Sequence, residues 1–189
     1  MNHYPDSATE SPIISPLYAN SRIHIGFLPE AEKLNFEILE GYRQLREKDL
    51  LRRSHFFGGR YENLYFERER IPAIGRVIAH AELHARYILQ RPDAPIRCGF
   101  WVNEMGPGQV TTEHHHDDND ELLSGVYYVQ VPQNSGELII RENHIRTVIT
   151  PLAGMFVFFA PTVLHAVGVN ASQQIRLSMG MNFGPAVQN

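Results

Sequence analysis

The spacing of the apolar residues changes near residue 95, and that change constrains the fold more than any other feature of the chain. Ahead of it the period is helical. One pattern runs from about Glu30 to Lys48, with Ala31, Leu34, Ile38, Tyr42 and Leu45 at three- and four-residue steps. A second runs from about Pro72 to Gln90, with Ile74, Val77, Ile78, Ala81, Ala85 and Ile88 on one stripe and Pro72 suited to its first turn. Between them the aromatic, glycine-broken stretch from His55 to Tyr65 reads as a loop or short hairpin. Beyond residue 95 the period becomes two. Short β-branched and aromatic runs recur at Ile96–Met105, Gly125–Val131, Glu137–Arg141, Arg146–Ile149, Met155–Phe159, His165–Val169 and Ile175–Met181, with Gly/Pro/Asn/Ser clusters between them. So many short strands in so little chain indicate a sandwich or barrel rather than a βαβ sheet. A jelly roll is the economical form, because its two sheets leave a mouth for a ligand. The expectation is a single α+β domain over 1–189, mainly β. A largely helical part, 1–95, would pack on the outside of one sheet of a β core, 96–184.

Composition narrows the function by exclusion. The chain is 43% apolar and 20% charged with a net charge of −4, and no Lys/Arg block advertises a nucleic-acid or membrane partner. The one cysteine, Cys98, rules out an internal disulfide. With no leader-like start and no apolar run of spanning length, a cytoplasmic protein is expected. Nothing in the sequence speaks to oligomeric state.

Chemistry concentrates in Glu113-His114-His115-His116-Asp117-Asp118, just after Gly106-Pro107-Gly108. Residues two apart in an extended segment point to the same side, so His116 and Asp118 can grip one ion together. His115 with Asp117 is an equally valid pair in the neighbouring register. A third ligand must come from far along the chain, and His165 follows Pro161 at the end of an apolar run. Two histidines and one carboxylate on one face of an iron ion leave three positions open. Arg176 and Ser178 then alternate on one strand, eleven and thirteen residues after His165, and a guanidinium beside a hydroxyl makes a clamp for a carboxylate.

This pattern of His-x-Asp, distal His and Arg-x-Ser resembles the 2-oxoglutarate and Fe(II)-dependent oxygenases with a double-stranded β-helix (cupin-like jelly roll) core. Leu123-Ser124-Gly125-Val126-Tyr127-Tyr128-Val129, Ser135-Gly136-Glu137-Leu138 and Phe156–Pro161 look like its small prolyl-hydroxylase-like branch. The likeness covers roughly Phe100 to Phe183. It implies Fe(II) held by His116, Asp118 and His165, and favours that register over His115/Asp117 because the acid then stands five residues before Leu123. It also implies 2-oxoglutarate held by Arg176, Ser178 and Tyr128. The activity implied is that of a dioxygenase, by default a hydroxylase, acting with dioxygen on a small molecule or amino-acid side chain and releasing succinate and CO2. Trp101 and Asn103 on the first core strand would line the substrate floor, with Arg60 and Tyr61 on a lid above it.

Two competing patterns are present. Gly108, His114, His116 and Glu121 fit the first half of a cupin signature, so a cupin-type metal protein would use His114, His116, Glu121 and His165 without 2-oxoglutarate. It would have no use for Arg176 and Ser178. His80 and His84, four apart on the second helix, could suit zinc, but the glutamate of a metalloprotease helix is out of place there and the pair reads as structural.

Overall fold

A computed structural model of the protein describes residues 14–116 and 120–186. Its elements follow in order as β1 (Ile14–Pro16), β2 (His24–Phe27), α1 (Ala31–Gln44), β3 (Leu50–Phe57), β4 (Arg60–Phe66), α2 (Pro72–Ile88), β5 (Ile96–Met105), β6 (Thr111–His114), β7 (Leu123–Gln130), β8 (Leu138–Glu142), β9 (Ile145–Ile149), β10 (Met155–Phe159), β11 (Leu164–Val167) and β12 (Arg176–Pro185). They form an eight-stranded sheet in the order β1-β2-β10-β7-β12-β5-β4-β3 and a four-stranded sheet in the order β6-β11-β8-β9. The pairing is antiparallel throughout. This is the double-stranded β-helix expected from the period-two half of the chain.

Side-chain alternation divides the interior into two cores. On one face of the large sheet, Tyr127, Val129, Phe156, Phe158, Leu177, Met179 and Met181 pack against Ile38 of α1 and the Ile74, Val77, Ile78, Ala81 and Ala85 stripe of α2. The helices therefore lie outside one sheet, as their amphipathic pattern requires. On the other face Tyr128, Met155, Val157 and Phe159 meet Leu138, Ile140 and Ile149 of the small sheet. The site lies at the open end of this inter-sheet layer.

The N-terminal part departs from its helical reading, since it also supplies four strands to the large sheet. The stretch from His55 to Tyr65 belongs to a long hairpin whose two-residue turn, Gly58-Gly59, has φ of 57° and 82°. Both signs are positive, as the mirrored turns that match strand twist need. Helix α1 stops at Gln44 because Leu45 turns extended, four residues short of the expected end at Lys48.

His84 is 3% exposed on α2, edge-on to Phe156 and Phe158, and its Nδ1 has no hydrogen-bond partner. Burial, with His80 nearby, lowers its pKa from the ordinary 6.5 to about 4. The folded chain thus keeps this ring neutral while the unfolded chain binds a proton below about 6.5. Stability conferred by the neutral ring is complete above that value and is lost as the pH falls toward 4, at up to about 1.4 kcal/mol per pH unit. His84→Leu should reduce the slope of denaturation free energy against pH by one proton between these limits. Parallel slopes for the two proteins would contradict it.

Candidate metal centre and co-substrate pocket

Strand register brings the histidines together. His114 ends β6 directly opposite His165 on β11, so the two rings project to the same side with centroids 4.3 Å apart. His116 lies two residues on, its backbone N–H donating to the carbonyl of Pro161 at 2.8 Å, which draws it against the segment leading to His165. Its ring centroid is 4.9 Å from His114 and 5.0 Å from His165. One ring nitrogen from each of His114, His116 and His165 lies within 4.8 Å of the others, a grouping able to hold a metal ion. Burial, reinforced by the neighbouring imidazoles, lowers the pKa of His116 to about 3. Burial does the same for His165, to about 4. Rings kept neutral in this way are ready ligands at ordinary pH.

The sequence-predicted residues fall around one cavity with these rings. Trp101, Asn103, Tyr128, Arg176 and Ser178 line it along with His114, His116 and His165. Trp101 stands opposite Gly180, where an added Cβ would come within 2.3 Å of the indole, so glycine there lets the ring lie flat on the sheet. The Trp101 ring is 5.3 Å from that of His116. Asn103 donates from Nδ2 to the carbonyl of Glu62 and to Oδ1 of Asn63, at 2.7 and 2.8 Å, and Asn63 bonds His55 Nδ1 at 2.8 Å. Asn63 and His55 carried no signal in the sequence. His55 has φ of 55°, an uncommon conformation for a non-glycine residue, and its ring stands 6.2 Å from His114. Asp118 and Asp117 lie outside the described residues. Their neighbours separate clearly: His116 lines the cavity and His115 is exposed.

Arg176 is 2% exposed, yet among the described residues no carboxylate pairs with it. Its guanidinium donates to the carbonyl of Gly136 at 3.1 Å and more loosely to that of Ser135, lies 5.2 Å from the Tyr128 ring centroid, and leaves Nε unpartnered. The Tyr128 hydroxyl beside it is fully buried and also has no partner. Burial lowers the Arg176 pKa and raises that of Tyr128, each shift opposed by the other group. A buried cation without an anion is costly, and a carboxylate entering from the cavity would satisfy it together with the orphaned hydroxyl.

Other expectations separate. Glu121 is not grouped with the histidines; it faces Arg97 at 4.0 Å, so only the three histidines of the cupin quartet come together. Arg60 and Tyr61 line a groove of about 750 Å³ beside α1, with Tyr42, Glu104 and Leu177. Leu177 and Arg176 face opposite sides of β12, so that groove and the histidine cavity lie on opposite faces of the large sheet.

A segment of the chain, residues 99–151, matches a family described as putative 2OG-Fe(II) oxygenase. No sequence relative among curated proteins matches the chain. Among solved structures, a prolyl-4-hydroxylase from Pseudomonas putida is similar at 21% identity over 89% of this chain and 95% of that one, with a TM-score of 0.62. The non-haem α-ketoglutarate-dependent carbocyclase SnoK from nogalamycin biosynthesis is similar at 15% identity over 89% and 81%, with a TM-score of 0.71. The epimerase SnoN, solved with Fe3+, α-ketoglutarate and nogalamycin RO, is similar at 18% identity over 89% and 81%, with a TM-score of 0.65. The fold is that of these solved structures, and the matched segment overlaps the part of the chain whose motifs resemble the Fe(II)- and 2-oxoglutarate-dependent oxygenases.

Arg60 provides a test of the hairpin's role. It donates to the carbonyls of Glu104 and Val110 at 3.0 and 3.1 Å and pairs with the buried Glu62, which ties the hairpin to β5 and to the loop before β6. Arg60→Ala strands Glu62 and should cost about 1–3 kcal/mol, read as a lower melting temperature. A lid residue would leave the melting temperature unchanged and lower only the yield of oxidised product per succinate.

Proposed function

We propose that this protein is a non-haem Fe(II)/2-oxoglutarate-dependent dioxygenase that hydroxylates an unactivated C–H bond of a small molecule or amino-acid side chain. His116, Asp118 and His165 would hold the iron. Arg176, Ser178 and Tyr128 would hold the C5 carboxylate of 2-oxoglutarate. The observation that carries this reading is Arg176, a buried guanidinium with an unpartnered Nε, lining the same cavity as the histidine cluster. A cupin-type metal protein gives no reason to bury that charge.

The bound iron and keto acid supply an oxidant strong enough to break a C–H bond, and the remaining work belongs to the chain. Arg176 orients the keto acid by a forked pair of charge-assisted contacts, and Ser178, two residues along the same face of β12, offers a hydroxyl beside it. Tyr128 is the cross-strand partner of Ser178 and closes the pocket from β7. Trp101 walls the cavity next to His116 and, with Phe159 beside His165, keeps water from the metal. Asn103 is held by Glu62 and Asn63 through its Nδ2, which leaves its Oδ1 as an acceptor for a substrate N–H or O–H.

Arg176→Ala should weaken 2-oxoglutarate by roughly 30-fold or more, the equivalent of about 2 kcal/mol or more for a desolvated charge contact. Metal affinity should stay unchanged. Anaerobic titration of the Fe(II) protein, followed by the visible charge-transfer band of the chelated keto acid, measures both. Equal keto-acid affinity in the natural protein and the variant contradicts the reading.

A further inference from the structure

Two of the three clustered imidazoles are held by the same local device. Nδ1 of His165 meets the carbonyl of Val163 at 3.0 Å, and Nδ1 of His114 meets the carbonyl of Thr112 at 2.9 Å, each two residues back along the chain. A carbonyl only accepts, so each Nδ1 donates and the Nε2 of each ring is the nitrogen left to face a metal. Contacts of this kind fix the tautomer and aim of metal-bound histidines. The chain therefore prepares His114 as a ligand in the same manner as it prepares His165.

Position agrees with tautomer. His114 and His165 are register partners, and the candidate nitrogens of His114, His116 and His165 lie within 4.8 Å of one another. Nitrogens bound about 2.1 Å from a shared ion lie about 3.0–3.4 Å apart, so the rings would close further on binding. We propose that His114 is itself a ligand, giving a three-imidazole site, His114, His116 and His165, that retains divalent transition metal without a carboxylate. This rests on the location of the metal centre given above, but not on 2-oxoglutarate. The ligand class is a borderline cation that favours nitrogen, such as Fe(II), Co(II) or Ni(II). His114 stands on the four-residue edge strand of the small sheet, and its ring is only partly buried, whereas His165 is buried.

The test uses the Co(II)-loaded full chain. Proton spectra in water count the strongly shifted, solvent-exchangeable imidazole N–H signals, and His114→Ala and His114→Gln should each show one fewer than the natural protein. Affinity is read by metal quenching of Trp101, the single tryptophan, whose ring lies 5.3 Å from that of His116. Asp118→Ala should still bind Co(II) within about tenfold of the natural protein. Adding His114→Ala or His114→Gln to it should cost more than the roughly 100-fold typical of losing an outer-shell partner. An unchanged signal count in both His114 variants overturns the proposal. So does loss of all Co(II) binding in Asp118→Ala alone, in protein whose metal-free melting temperature is normal. Three imidazole signals with no response to 2-oxoglutarate would support this inference and sink the oxygenase reading, so the two fail separately.

Discussion

Strand β12 runs between β5 and β7, paired with both over nearly its whole length, and this register sets the large sheet's side of the site. Its residues alternate between the two cores. Leu177, Met179 and Met181 are buried against the helices, while Arg176, Ser178 and Gly180 face the cavity. A slip of one residue would send the guanidinium into the helix-side core and the methionines into the cavity, at the cost of both. The cross-strand neighbours follow from the same register: Ser178 beside Asn103 and Tyr128, and Gly180 beneath Trp101.

The site is thus a place where the fold tolerates local cost. Among the described residues, Arg176 is desolvated with carbonyls and a ring face for company, and Tyr128 keeps a hydroxyl without a partner. Burial, with the neighbouring imidazoles behind it, pushes protonation of His116 and His165 far below its ordinary range. Each of these groups becomes satisfied when an anion or a metal enters. His84 shows the contrast. It is equally shielded, but it stands edge-on to Phe156 and Phe158 behind the sheet, away from the cavity that the histidine cluster lines, and its cost is structural.

Much of the β core was legible from period two alone. Ile96–Met105 and Met155–Phe159 match their strands to the residue, because turn-forming Pro and Gly residues fix their ends. The hairpin of β3 and β4 was harder to read. Arg52 and Arg53 interrupt its apolar pattern, and they sit there by lying over the rings of Tyr65 and Tyr61, a pairing that only the folded hairpin creates. In the site, Arg176, Ser178, Tyr128, His116 and His165 were readable as a motif, and the structure gathers them about one cavity. His114 entered the sequence reading only through the competing pattern. Its place opposite His165 depends on the pairing of β6 with β11, and β6 is too short and too polar to register as a strand. His55 and Asn63 were unreadable for the same reason: a hydrogen-bond chain runs from His55 through Asn63 to Asn103, and it exists only after β3 and β4 pair and β4 joins β5.

The central claim is that the cavity pairs a metal held by histidines with a carboxylate held by Arg176. Comparing two keto acids on the natural protein tests it most directly. Fe(II)-loaded protein, kept free of oxygen, is titrated with 2-oxoglutarate and with 2-oxobutyrate, which has the same chelating end but lacks the distal carboxylate. The account predicts a saturable visible charge-transfer band with 2-oxoglutarate at concentrations where 2-oxobutyrate gives none. Equal responses to the two acids, or no band with either, would contradict it.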